Sequence, residues 1–249
     1  MEKDERLAIL NGLPKVELHR HLEGSLRLST MLELGRKHGI DMPLQDEESL
    51  ARVVTFNEGE PRTLANFLTK FHSDWYRTYT DVERVTTEVV SDAASEGIAH
   101  LELRFSPEHL SRTSGLQAKG AMQAVCESGQ ARAAEAGISI CFLITLARER
   151  YDFDLWKEFI DDGVQMFDLG LAGIDLAGDE FNYPNALFEK IFRRAKDTGT
   201  MGISIHAGEG TSARQVASAV ETLDSVGAWL VYRTVSQLHD TGVDAELRG

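Results

Sequence analysis

Cysteine is scarce in this sequence. Cys126 and Cys141 are the only two, and they lack a CxxC spacing. That pattern argues against a disulfide framework and against a cysteine-built zinc module, and it suits a reducing cytoplasm. No run of about 18 apolar residues is present, so no membrane span is expected. The opening residues, MEKDERLAIL, carry too much charge over too short an apolar stretch for a secretory signal. Positive charge is also in deficit. With 26 Lys and Arg against 40 Asp and Glu, the net charge is -14. Such a surface repels phosphate backbones, which speaks against a nucleic-acid partner. Neither GxGxxG nor GxxxxGK[ST] follows any predicted strand, so a dinucleotide or P-loop fold is disfavoured. Internal repeats and low-complexity segments are likewise lacking.

What remains is a chain of 249 residues with 42% hydrophobic and 27% charged side chains, the profile of a soluble globular protein. A core of this size needs no covalent staples. The patterning predicts a helix at 2–11, a strand from Lys15 to Leu22 and a helix at 28–39. A helical insert follows at 47–53, 61–79 and 81–96, with Asp81 as the N-cap of its last helix. A strand-helix rhythm then begins. Strands are predicted at 98–105, 138–146, 169–176 and 202–206, with helices at 117–136, 153–165, 184–198 and 211–223. This alternation means a parallel α/β sheet. Polar residues gather at strand C-terminal ends, in HRHLEG, RFSPEH, DLAGDE and HAGEG. The active end of a closed β/α barrel has that character, so the expected architecture is a (β/α)8 barrel rather than an open doubly wound sheet.

Three stretches carry chemistry. In LPKVELHRHLEGSL (13–26), His19 and His21 are two residues apart on a strand, so both rings point to one face and can grip one divalent metal. In HAGEG (206–210), His206 ends a buried strand and Glu209 follows three residues later. A catalytic zinc takes about three protein ligands and keeps one position open; His19, His21 and His206 make such a set. The metal acidifies water, and a carboxylate such as Glu209 shuttles protons beside it. In DLAGDE (175–180), Gly178 permits close backbone approach to a ligand. Asp175, Asp179 and Glu180 offer acceptors for a histidine. Each stretch alone also reads as packing or helix capping; their combination favours a site. Leu64, Phe67, Leu68 and Phe71 form an apolar stripe, either ordinary core or a wall over a pocket. His72, His100 and His109 lack partner spacing and read as structural or surface residues, with His100 packed.

At these residues the chain resembles the adenosine deaminase family of zinc hydrolases. LPKVELHRHLEGSL, LELRFSP (101–107), IDLAGDE (174–180) and HAGE (206–209) match its motifs in order, over about residues 8–224. The LRFSP and DLAGDE forms look like nucleoside deaminases rather than the branch acting on free adenine. The resemblance implies a single deaminase-type barrel domain over 1–249, with a helical insert at 23–97 and a divergent tail at 225–249. It implies one zinc held by His19, His21 and His206. It implies that Glu209 gives a proton to the purine N1 as water attacks C6. Glu23, where many members have Asp, would contact the ribose. Gly178 would contact the purine edge, and His21 would also lie against the substrate. The implied substrate is adenosine or a related 6-aminopurine nucleoside, converted to its inosine counterpart. The H-x-E…P-C-x-x-C signature of base deaminases on another fold is absent.

The match stops near Asp224. The family continues with a Gly-His-Gly strand end and later a Thr-Asp-Asp strand end that supplies a further zinc ligand; here the chain reads SVGAWLVYRTVSQ (225–237) and then a short tail. Five strands are clear and 228–232 is a possible sixth, against the eight of a closed barrel. His239, Asp240 and Asp244 are not assigned to the site. A truncated or frame-shifted member is the most economical explanation, and a short form completed by a partner chain is the alternative. Weakened zinc binding and little turnover follow from the missing groups. Two other readings stay open: a chain that binds nucleoside or a partner protein without turnover, and a deaminase of a modified adenosine such as aminodeoxyfutalosine.

Overall fold

The computed structural model describes residues 3–72, 75–112, 115–209 and 211–226. Helix α1 (Lys3–Gly12) leads into β1 (Lys15–His21). Four helices follow: α2 (Leu28–His38), α3 (Glu47–Val54), α4 (Leu64–Leu68) and α5 (Tyr79–Ser95). Then come β2 (Ile98–Phe105), α6 (Pro107–Ser111), α7 (Ala118–Ala136), β3 (Ser139–Ala147), α8 (Phe153–Gln165), β4 (Leu171–Ala177), α9 (Glu189–Asp197), β5 (Gly202–Ile205) and α10 (Ala213–Ser225).

The five strands are all parallel and lie in the order β1-β2-β3-β4-β5. Each new strand adds beside the last without a reversal of direction along the sheet. A doubly wound sheet reverses, whereas a β/α barrel grows in this way. The described residues thus form five consecutive units of a (β/α)8 barrel, with the insert between β1 and β2. The segment 228–232, proposed as a sixth strand, lies outside the described residues, as do His239, Asp240 and Asp244.

Strand parity separates core from site. On β3, Ile140, Phe142, Ile144 and Leu146 face outward and are buried. The alternate residues Cys141, Leu143, Thr145 and Ala147 face the interior and line a cavity. On β2, Leu101, Leu103 and Phe105 are fully buried on the outer side, while Glu102 and Arg104 line the same cavity. Helices α5 and α7 pack on each other and on this outer face. The buried stripe of α5, Val82, Val85, Val89, Val90 and Ala93, has helical spacing.

Two predictions about the insert need correction. The segment 61–79 is not one helix; among its described residues only Leu64–Leu68 and Tyr79, the first residue of α5, are helical. The Thr69 hydroxyl donates to the Asn66 carbonyl at 2.6 Å, a local bond that competes with helix continuation. Asp81 is not an N-cap. Thr78 caps α5 and Asp81 occupies the third helical position of a capping box: Asp81 N donates to Thr78 Oγ1 at 3.2 Å, and Thr78 N donates to Asp81 Oδ2 at 2.9 Å. The same carboxylate accepts from Lys37 Nζ at 2.7 Å and from His38 Nε2 at 2.9 Å, joining the end of α2 to the start of α5. Elsewhere the boundaries lie close to prediction, except that 184–198 begins as a 3-10 turn, Asn185–Phe188. The Asn185 side chain accepts from Arg148 there, which holds it in a buried position.

Asp81 is 2% exposed, yet its pKa is lowered: burial opposes the charge, and the bonds from Lys37, Thr78 and the Arg77 amide outweigh it. Asp81→Ala is expected to cost about 2–3 kcal/mol in denaturant titrations at pH 7. A carboxylate with a depressed folded pKa stabilises above its unfolded value of roughly 3.9. The gap between wild type and variant therefore stays constant above that pH and closes as pH falls through the lower folded value.

Candidate metal centre and its cavity

The bulge between Glu17 and Arg20 brings the end of β1 into the cavity mouth. There His19 Nε2 lies 3.2 Å from His21 Nε2 and 2.8 Å from His206 Nε2, and His21 and His206 are 3.1 Å apart. Residues 187 positions apart in the chain thus meet within one ion's reach. Burial lowers the pKa of His21 to about 3, so its ring is neutral at physiological pH. Three imidazoles turned nitrogen to nitrogen repel one another unless a proton or a cation sits between them. The donor set and its spacing fit a divalent ion held in a tri-histidine arrangement, with zinc–nitrogen distances of about 2.0–2.1 Å.

Asp175, on β4, orients this group. Its carboxylate is fully buried and accepts from His206 Nδ1 at 3.1 Å. Proton occupancy at Nδ1 leaves the Nε2 lone pair for a metal. Burial pushes the Asp175 pKa up, but His206 and Arg104 more than reverse that, and it stays ionised. For His206, burial lowers the pKa, and the Asp175 charge and hydrogen bond carry the net shift upward. Arg104 Nη1 lies 3.2 Å from Asp175 Oδ2, and its Nη2 donates to the Leu18 carbonyl of β1 at 2.7 Å. Arg148, also fully buried, donates to the carbonyls of His206 and Tyr183, each at 2.8 Å. Glu180 accepts from Gly208 N and Thr211 Oγ1, both at 2.8 Å, which shapes the loop carrying Glu209.

The cavity has a volume of about 1170 Å³. His19, His21, His206, Glu209, Glu23 and Gly178 all line it; of the acidic residues of DLAGDE, Asp175 stands behind His206, while Asp179 accepts from Asn182 and Glu180 from Gly208, and none of the three lines the cavity. Glu209 is exposed at the mouth. Glu23 accepts from the Ser106 amide at 2.5 Å, and burial pushes its carboxyl up to about 7 against that bond. Gly178 has φ +102, a conformation that demands glycine, and its open face lies against the Glu149 carboxylate. Leu64, Phe67, Leu68 and Phe71 form one wall, with Phe67 and Phe71 edge to face at 4.8 Å. The wall reading of that stripe therefore holds, although most of the segment is not helical.

Arg104, Arg148 and His109 escaped sequence reasoning. Arg104 carried a usable signal, since a charge between Leu103 and Phe105 in a buried strand requires a partner. His109, read as structural or surface, lines the cavity. His100, read as packed, is half-buried on the inner face, with Nδ1 2.7 Å from Ser139 Oγ.

Residues 14–227 match the family model of adenosine deaminase. The chain is 34% identical over 234 residues to an adenosine deaminase of Shewanella denitrificans, covering 92% of this chain and 68% of that one. It is 35% identical to one of Vibrio parahaemolyticus, covering 93% and 68%. It thus spans about two-thirds of the length of these relatives. Among solved structures, a zinc-bound amidohydrolase from Burkholderia ambifaria superposes with a TM-score of 0.74 at 27% identity, covering 90% of this chain and 60% of that one. Arabidopsis ADAL complexed with IMP gives 0.71 at 25%, covering 93% and 70%. The chain belongs to the adenosine deaminase family, hydrolases that act on C–N bonds of cyclic amidines.

Proposed function

We propose that this chain carries a site for zinc-dependent hydrolytic deamination of a 6-aminopurine nucleoside, adenosine being the simplest case, with turnover low because neither the Gly-His-Gly nor the Thr-Asp-Asp strand end is in its sequence. The observation that carries this reading is the convergence of three histidine Nε2 atoms within 3.2 Å, at the mouth of a cavity that Glu209 also lines. Zinc, when bound, supplies Lewis acidity and lowers the pKa of water toward neutrality. The remaining work falls to side chains. Asp175 keeps the proton of His206 on Nδ1. Glu209 donates a proton to purine N1 as C6 is attacked, so that the ring nitrogen and not the enzyme takes up the developing charge. The new bond is C6–O, the broken bond is C6–N, ammonia leaves with one proton of the attacking water, and the other replaces the proton that Glu209 gave to N1. Gly178 presents backbone to the purine edge, His21 flanks the base, Glu23 accepts from the sugar hydroxyls, and the Phe67–Phe71 wall excludes water from the apolar side.

A nucleoside 5′-monophosphate is the second reading. Arg112 and Arg150 line the cavity, each paired to Glu108 at 3.6 and 3.8 Å, and solved relatives are complexes with IMP and GMP. Ammonia release from a panel of adenosine, 5′-substituted adenosines and AMP separates the two. Zinc uptake with no ammonia from any member would overturn turnover and leave a nucleoside-binding chain.

Two outcomes are expected from this assignment. Glu209→Gln should lower kcat by roughly a hundred- to ten-thousandfold with little change in KM, measured as the ultraviolet change on deamination. Asp175→Asn should weaken zinc at the tri-histidine site by roughly 10- to 100-fold in chelator competition. An unchanged affinity would mean that this carboxylate only packs.

A further inference from the structure

Among the described residues a second set of metal-donor side chains lies on the inner face of the sheet, made of His100, Glu102 and Cys141. Nothing in the linear sequence joins Cys141 to the other two. His100 and Glu102 share a face of β2 because they are two residues apart. Parallel pairing sets Glu102 beside Cys141 on β3 and His100 beside Ser139. One donor atom of each side chain lies within 4.8 Å of the others. A tetrahedral zinc holds its ligands roughly 3.3–3.8 Å apart, given bond lengths near 2.0–2.3 Å, so small side-chain rotations close the site.

We propose that His100, Glu102 and Cys141 bind a divalent transition ion of borderline softness, such as zinc or cobalt(II), separate from the tri-histidine centre. Sulfur, imidazole and carboxylate together suit such an ion and do not suit magnesium or calcium, which prefer oxygen alone. All three residues are half-buried, and Glu102 and Cys141 line the cavity, so an ion has an entry path. His100 is already oriented. Ser139 Oγ, which donates to the Ala99 carbonyl at 3.3 Å, lies 2.7 Å from His100 Nδ1; in the tautomer in which Nδ1 donates to it, Nε2 is left for an ion. Glu102 makes a loose ion pair to Arg104 at 3.7 Å, and Arg104 sits closer to Asp175. Without an ion the Cys141 thiol is protonated, pushed up to about 11 by burial and by Glu102. Uptake breaks the S–H bond, forms a metal–sulfur bond and releases one proton to solvent. The site lies toward the N-terminal ends of β2 and β3, whereas the tri-histidine group lies at the C-terminal ends. An ion there would tie β2 to β3.

Cobalt(II) tests this directly on the metal-free 249-residue chain. The tri-histidine site has no sulfur, so a thiolate-to-cobalt charge-transfer band in the near ultraviolet reports only on Cys141 or Cys126. The expected result is one such band, abolished in Cys141→Ser, at least tenfold harder to saturate in His100→Ala, and unchanged in Cys126→Ala, whose thiol is buried on α7. Zinc should also slow alkylation of Cys141 in the wild-type chain at least tenfold, a measurement that needs no variant. A folded wild-type chain that takes up cobalt without the band, a band that survives in Cys141→Ser, or alkylation indifferent to zinc would overturn the proposal. Because the band is independent of turnover, failure of the deaminase reading would leave it standing.

Discussion

The buried carboxylate of Asp175 is the constraint on which the rest of this structure depends. A charge with no exposure is costly unless paired on every side. His206 takes one oxygen and Arg104 faces the other. Arg104 in turn reaches the backbone of β1 at Leu18, just before His19. One ionised group thereby couples β4, β5, β2 and β1, and with them all three histidines. Arg148 closes the arrangement from the far side by holding the carbonyl of His206. The position of the three imidazole nitrogens is thereby tied to the satisfaction of buried charge.

The outer and inner faces of the sheet divide the labour. Outward residues such as Phe105, Phe142 and Ile144 are buried among the helices and hold the strands in register. Inward residues are free to be polar because they border a cavity. The insert after β1 then supplies the apolar wall of that cavity, through Phe67 and Phe71, while α5 anchors the insert to the barrel. Asp81 is the joint between these parts, since it completes the capping box that Thr78 opens on α5 and pairs with the end of α2.

Much of this was legible in advance for identifiable reasons. Period-two and period-3.6 patterns survive wherever an element has one buried face, and they located all five strands and most helices. His19 and His21 were legible because i and i+2 on a strand share a face. Their match with His206 needed motif order, not geometry. Failures came where long-range contacts override local pattern. The stripe at 61–79 has helical spacing, but it faces a cavity and its hydroxyls compete for backbone. Asp81 precedes an apolar run as an N-cap would, yet Thr78 takes that place because the reciprocal pair of a capping box satisfies two amides. The ring of His100 meets Ser139 of another strand and that of His109 meets Tyr76 of the insert, neighbours that no local pattern announces.

Residue types and their periodicity were enough to determine an alternating parallel architecture, the end of the sheet where chemistry gathers and the histidines able to ligate, since these follow from local geometry within a few residues. The tertiary structure alone decided how closely His206 approaches His19 and His21, that Arg104 and Asp175 neutralise each other, and that Glu102 stands beside Cys141. The physical reason is register. Which residues of two distant strands become neighbours depends on how the whole sheet pairs and packs, and no local pattern encodes it.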